Sequence, residues 1–273
     1  MPMPFLAPGD LENAGLSSTA ISISNPLVQE ESLLRTSLMP GQLKIISYNQ
    51  SHRIKKLKFF EIGHVYLPSD GGPPLPDERE YLSISIAEGD AAEIVAILDL
   101  LSLTMAFPNT QLKQQEIDGL HPGRSAQVFV AGQNRGAVGE VDPRVLRNYG
   151  IDGSVAWLEL DLGSILTGSF GKKKYKSVSK YPSSDIDLAF EVPVDTSSAS
   201  IAGCLRKAGG TYLKEIGLFD SYKADAVSEG FRSLAYSLRF QSDEGTLTDT
   251  EVSELRAACI TEVEKKTNAK LRE

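Results

Sequence analysis

Between residues 233 and 240 apolar and polar side chains alternate cleanly. Leu234, Tyr236, Leu238 and Phe240 fall on one side, Ser233, Ala235, Ser237 and Arg239 on the other. Period-two alternation marks a strand with one buried and one open face. With the apolar run before it, Leu218–Phe240 reads as two strands joined by a loop. On either side the pattern gives a strand over 185–192, a helix with Ile201, Cys204, Leu205 and Ala208 on one face, and a helix stop at Gly209-Gly210. A strand over 211–219 precedes the hairpin. After it, Thr248 and Glu251 form a capping box that starts a helix lined by Val252, Leu255, Cys259 and Val263, and a short strand ends the chain. The order β-α-β-β-α-β is that of a ferredoxin-like fold.

The larger, earlier part is less regular. Residues 21–28 alternate and predict a strand that stops at Asn25-Pro26. Residues 29–50 repeat leucines at helical spacing, with a kink expected at Pro40-Gly41. Strands are expected over 56–67 and 79–89, joined by an exposed Gly- and Pro-rich loop. Residues 91–107 are apolar around much of a helical surface, which predicts a largely buried helix. Strand-like pieces at 114–120, 126–132 and 135–141, a short helix opened by Pro143 and a strong strand over 155–162 complete a mostly antiparallel sheet with helices packed on it. The whole is α+β. The Gly-, Ser- and Lys-rich stretch 168–180 is the best boundary, and Lys172, Lys173, Lys174 and Lys176 read as the one dense basic cluster. A solvated linker accounts for these lysines, and so does a contact to phosphates.

At 273 residues the chain has room for two domains. Its net charge of −8 is shared evenly, with 12 basic against 16 acidic side chains in 178–273 and 16 against 20 in the remainder. That balance argues against a protein that holds nucleic acid by a broad basic surface. No apolar run is long enough to span a membrane and the N-terminus lacks the pattern of a signal peptide, so a cytoplasmic protein is expected. Cys204 and Cys259 give neither a disulfide framework nor a zinc set and are expected as buried thiols.

Catalytic motifs are not found. His52, His64 and His121 lack metal-ligand spacing, so neither a catalytic nor a metal site is assigned. Asp185 and Asp187 share a strand face, read as edge solvation and turn capping; Glu61 is a lone carboxylate with no partner to name. The open face of the last sheet offers more. In phase with Ala235 and Ser237, neighbouring strands place Ala189, Gly217 and Phe219, with Lys223, Arg232 and Arg239 as a cationic rim. A flat face with one aromatic ring and peripheral cations suits single-stranded RNA. It suits packing against another domain equally well.

Several stretches in order resemble one family. NPLVQEESLLRTSLMPGQLKIISYNQSHRIKKLKFFEIGHVYL, LHPGRSAQVFV and GAVGEVDPRVLRNYGI are similar to segments of the bacterial phenylalanyl-tRNA synthetase beta chain, with Asp142 where the family carries histidine. YPSSDIDLAFEV, LFDSYK, FRSLAYSLRF and TLTDTEV resemble its ferredoxin-fold anticodon-binding domain. The resemblance implies a class II synthetase-like domain without an active site over 5–170, a linker over 171–177 and the anticodon-binding domain over 178–273. The strand Phe59-Phe60-Glu61-Ile62-Gly63 lacks the arginine that an active site of this class needs for ATP. Glu159 and Asp161 stand where phosphates would be repelled rather than held.

The resemblance further implies a non-catalytic chain in a hetero-oligomer with the synthetase alpha subunit. ATP and Mg²⁺ would be handled by alpha and no cofactor by this chain. tRNA(Phe) would be the nucleic-acid partner, with no DNA and no membrane. Phe219, Lys223, Arg232 and Arg239 are the expected RNA contacts, with Lys172, Lys173 and Lys174 secondary. The family's beta chain is longer, so a fragment, a split gene product and a decayed copy stay open. So does a rival reading, a protein-interaction module that never binds tRNA by itself. A ferredoxin-like acylphosphatase is disfavoured because VPVDTSSAS has no basic residue for phosphate.

Overall fold

The computed structural model describes residues 4–17, 19–69, 75–168, 179–222 and 230–272. The chain divides into two compact units, Met1–Lys174 and Tyr175–Glu273.

The first unit opens with β1 (Phe5–Leu6) and α1 (Asp10–Asn13), and β1 pairs with β2 (Leu33–Leu34) in a small ribbon. The strand expected over 21–28 reduces to one bridge between Ser22 and Leu33. Then come α2 (Met39–Ser51), β3 (Leu57–Leu67), β4 (Asp77–Ala87), α3 (Ala91–Thr104), β5 (Gln111–Gln114), β6 (Leu120–Val130), β7 (Gln133–Val141), α4 (Pro143–Asn148), β8 (Val155–Asp161) and α5 (Leu162–Leu166). Six of the strands form an antiparallel sheet in the order β3-β4-β8-β7-β6-β5. Every residue of β8 is buried, as a central strand covered on both faces requires.

The strand expected over 114–120 does not form: β5 ends at Gln114, β6 begins at Leu120, and the chain turns between them. Two further expectations fail for physical reasons. Pro40 does not kink a helix; it lies in the first turn of α2, where its missing N–H costs nothing. The run before it forms a single 3-10 turn at Gln29–Glu31 and then β2, and the α-helix begins only at Met39. α3 is not largely buried either. Ile94 and Leu98 are fully covered, but Leu100 and Leu103 are 62% and 71% exposed. A helix lying on a sheet hides one stripe, whatever the composition of its other side.

Each face of the sheet carries its own core. Met39, Leu43, Ile46, Val155 and Trp157 pack under α2, while Ile94, Leu98, Leu158, Leu160 and Ile165 pack under α3 and α5. Asp90, Asp142 and Asp161 cap α3, α4 and α5 through backbone N–H groups.

The second unit runs β9 (Ser184–Pro193), α6 (Ser198–Gly209), β10 (Leu213–Tyr222), β11 (Phe231–Phe240), α7 (Asp249–Thr267) and β12 (Lys270–Leu271). The sheet order β10-β11-β9-β12, all antiparallel, is the ferredoxin-like arrangement. Leu234, Tyr236, Leu238 and Phe240 of β11 are buried against Phe190, Ile201, Leu205, Cys259 and Val263. The capping box forms as expected: Thr248 Oγ1 accepts from Glu251 N–H while Glu251 Oε2 accepts from Thr248 N–H. Both described helices of this unit, α6 and α7, pack on one and the same side of the sheet.

Candidate functional site

The open face of the four-stranded sheet is a hollow of about 440 Å³, lined by Asp187, Ala189, Phe219, Asp220, Tyr222, Ser233, Ala235 and Arg272. Register explains its contents. Asp185, Asp187, Ala189 and Glu191 of β9 stand opposite Arg239, Ser237, Ala235 and Ser233 of β11. On the other flank Glu215 and Gly217 stand opposite Arg239 and Ser237, but a bulge after Leu218 shifts the phase. Asp220 then faces Ala235 and Tyr222 faces Ser233, with 60%-exposed Phe219 in the bulge itself. A bulge inserts one residue and so re-aims every side chain beyond it.

Tyr222 reaches across the sheet to Arg272, which follows β12. The guanidinium lies 5.3 Å from the ring centroid and donates to the Tyr222 hydroxyl. Ser233 and Ala235 of the central strand are only 1% and 8% exposed, so the face is not a flat open platform. A cation over a ring in this geometry stabilises both by about 0.5–1 kcal/mol at an exposed site.

The sequence-expected contacts fare differently. Phe219 is on the surface beside the hollow. Arg239 is on the open face but tied down, donating to Asp185 and Glu215, each at 2.8 Å. The Arg239 guanidinium holds the Asp185 carboxyl below its usual range, so Asp185 is an ion-pair partner rather than a turn cap. Arg232 is turned to the helical side, in phase with Leu234, and donates to the Thr196 carbonyl at 2.7 Å, so it does not rim the open face. Lys223, Lys172, Lys173 and Lys174 lie outside the described residues. Sequence reasoning missed Asp220, Tyr222 and Arg272, because strict alternation from Gly217 does not anticipate the bulge. In this register the open face carries Asp185, Asp187, Glu191, Glu215 and Asp220 against Arg239, Lys270 and Arg272.

The six-stranded sheet has a second polar region, on the face that carries α2. Glu61, Ser83, Glu159 and Ala137 line up across β3, β4, β8 and β7. Glu61 does have a partner: Arg35 Nη1 donates to it at 2.6 Å, with both side chains at least nine-tenths covered. Arg35 Nε donates to the His64 carbonyl at 2.8 Å. Gly63 makes the room, since a Cβ there would meet the Arg35 guanidinium. Glu159 accepts from Leu38 N–H at 2.7 Å and from the Ser37 hydroxyl at 3.1 Å. Burial pushes its carboxyl up to about 7 against the pull of those donors and of Arg35. Glu159 and Asp161 also line a pocket of about 340 Å³ with Arg79, Tyr81, Gln127 and Arg135. Asp161 is occupied by Ser164 and Arg79. No group of three or more metal-binding side chains occurs among the described residues, and no described helix is long and apolar enough to cross a membrane.

Residues 1–162 match the family model of the phenylalanyl-tRNA synthetase beta chain CLM domain, and residues 179–272 match the ferredoxin-fold anticodon-binding domain. The phenylalanine–tRNA ligase beta subunit of Clostridium tetani is 34% identical over 254 residues, covering 92% of this chain and 32% of that protein. That of Symbiobacterium thermophilum is 31% identical, covering 85% and 27%. That of Geobacter metallireducens is 30% identical, covering 96% and 35%. This chain thus spans about a third of the length of these relatives. A solved pyrrolysyl-tRNA synthetase from Desulfitobacterium hafniense aligns over 61% of this chain and 60% of that one, at 13% identity and a TM-score of 0.49, a partial likeness too weak to argue from. With more than half of its length matched by the first model, the chain belongs to the phenylalanyl-tRNA synthetase beta chain family.

Proposed function

We propose that this chain is a non-catalytic part of phenylalanine–tRNA ligase that binds the anticodon region of tRNA(Phe) through the hollow on its second unit. The observation that carries this is the set of groups gathered there. Phe219 and Tyr222 offer aromatic faces for unstacked bases, and Asp187 and Asp220 offer acceptors for base N–H donors. Small Ala189, which is not fully buried, leaves room for a base beside the sheet. Changing Tyr222 to Ala removes a stacking face and the Arg272 contact. Base–aromatic stacking contributes on the order of 1–3 kcal/mol, so tRNA(Phe) affinity should fall by about tenfold or more, as read by fluorescence anisotropy. Unchanged affinity would sink the assignment.

The partner in the reading is the synthetase alpha subunit, and ATP and Mg²⁺ belong to that subunit. Support comes from the first unit. Arg35 is already engaged by Glu61, and Glu159 and Asp161 supply carboxylates where nucleotide phosphates would need cations. Phe60 and Ile62 of edge strand β3 are 68% and 52% exposed. They extend the apolar row of Ile84 and Leu158 beyond its helical cover. Apolar surface of this kind suits a stable subunit contact. Co-purification with alpha should survive in the unaltered chain and be lost in Phe60→Asp.

One observation favours a second reading, an interaction module that does not bind tRNA by itself. Among the described residues the open face has more carboxylates than cations, which repels phosphates. Co-purification with alpha but no response to tRNA at any salt concentration would decide for it.

A further inference from the structure

The turn from α2 into β3 gathers positive charge in a chain that is negative overall. Between Glu31 and Glu61 there is no acidic side chain, while Arg35, Lys44, Arg53, Lys55, Lys56 and Lys58 are all basic. Three of these are engaged: Arg35 with Glu61, Lys44 with Asp10, Lys58 with Glu93. Arg53, Lys55 and Lys56 are exposed and have no ion pair among the described residues. Residues 53–58 hold four cations in six positions, against four in five at 172–176.

An aromatic pair stands beside them. The Tyr48 ring is 66% exposed and lies 4.3 Å from the His52 ring, tilted by 36°. His52 Nδ1 donates to the Tyr48 carbonyl at 2.8 Å, and the Ser51 hydroxyl donates to the same oxygen at 2.7 Å. The pair is therefore held in place without using the outer face of either ring. The backbone is built to turn here: Arg53 has φ 67°, its N–H donates to Gln50 O, and Ile54 N–H donates to Asn49 O. A helix end of this form favours glycine or asparagine at the left-handed position, and arginine occupies it at a conformational cost.

A plainer account is that cations collect at a helix C-terminus to meet its dipole. The last turn of α2 contains no basic residue, and Lys55 and Lys56 lie beyond the cap. The dipole falls off within one turn, so it accounts for Arg53 at most.

We propose that this turn is a second RNA contact, in which Arg53, Lys55 and Lys56 meet backbone phosphates and the Tyr48–His52 pair meets a ribose or an unstacked base. It rests on the reading that the chain works on tRNA. Charge complementarity selects the occupant, because the patch offers several unpaired cations to a polyanion. The exposed ring pair adds what an acidic protein surface would not use.

The test uses the full chain with a tRNA(Phe) transcript, measuring anisotropy across a salt series. The variants are Arg53→Gly, the triple variant R53G/K55Q/K56Q and, separately, Y222A. Arg53→Gly relieves the positive φ, so its melting temperature should not fall, and a loss of binding cannot be laid to unfolding. The triple variant should bind roughly tenfold or more weakly, with the slope of log affinity against log salt smaller by about 2. Unchanged affinity and slope in that variant overturn the proposal while Y222A still reports on the hollow. An effect of the triple variant without one of Y222A keeps the turn and removes the hollow. Failure of the unaltered chain to bind tRNA overturns both. Competition by polyglutamate as strong as that by RNA would also overturn it, showing a site for any polyanion.

Discussion

Arg35 faces two carboxylates in a region that water barely reaches, and that imbalance sets the behaviour of Glu159. Glu61 takes the guanidinium at 2.6 Å, yet its second oxygen has no hydrogen-bond partner. With one cation for two acids, the cheaper state protonates one of them, and burial puts that proton on Glu159 near pH 7. The folded value lies above the unfolded one near 4.5, so the native state binds the proton more tightly. The associated stabilisation is fully present below about pH 4.5 and is lost as pH rises through 7, amounting to roughly 3 kcal/mol. Glu159→Gln keeps an acceptor for Leu38 N–H and cannot ionise. The stability difference between the parent and this variant, from urea unfolding at pH 5 to 8, should move in the variant's favour as pH rises. Parallel profiles would show that Glu159 does not titrate in this window. Arg35→Met strips Glu61 of its partner without opening a void, and a buried charge left alone costs roughly 3–5 kcal/mol. Near-parent stability would mean that the Arg35–Glu61 pair contributes little to holding this region together.

At the level of elements, legibility in the sequence followed how local the cause was. The capping box of α7 needs Thr248 and Glu251 in one turn of chain, and it forms as written. Thr248→Ala should therefore cost about 1 kcal/mol of second-unit stability, measured by chemical denaturation. A smaller loss would mean that core contacts of Cys259 and Val263 hold the helix start unaided. β11 was equally legible because its alternation is unbroken from Ser233 to Phe240. β10 was not, because the bulge after Leu218 is set by pairing with β11 and leaves no mark in composition. Its consequence is large. Phe219, which alternation placed on the open face, does line the hollow, but the bulge brings Asp220 and Tyr222 there as well, and alternation alone did not give those. Arg272 was hidden for a similar reason, since a C-terminal arginine gives no sign that β12 will lay it across the sheet to Tyr222. The exposed stripe of α3 shows the converse error. Leu100 and Leu103 raise the apolar count of the helix without being covered by the sheet beneath it.

On the scale of the whole chain, each unit closes its own core. In the second, Leu188, Phe190, Val192, Ile201, Leu205, Tyr236, Leu238, Phe240, Cys259 and Val263 are all buried within residues 179–272, and no buried residue of the first unit is needed to complete the set. A domain of this size can bury enough apolar surface to fold alone. The expressed piece 179–272 should then unfold in one cooperative transition, with an enthalpy near 65 kcal/mol at about 60 °C. Calorimetry of the full chain should contain that same transition beside a second one from the first unit. Two transitions that match the separated pieces would make tRNA binding by the second unit a property that can be measured without the first. It would then report the hollow free of the turn between α2 and β3. A piece that stays unfolded until residues 1–174 are supplied would mean that the four-stranded sheet draws stability from outside its own core. The hollow and the turn would then have to be tested together in the full chain.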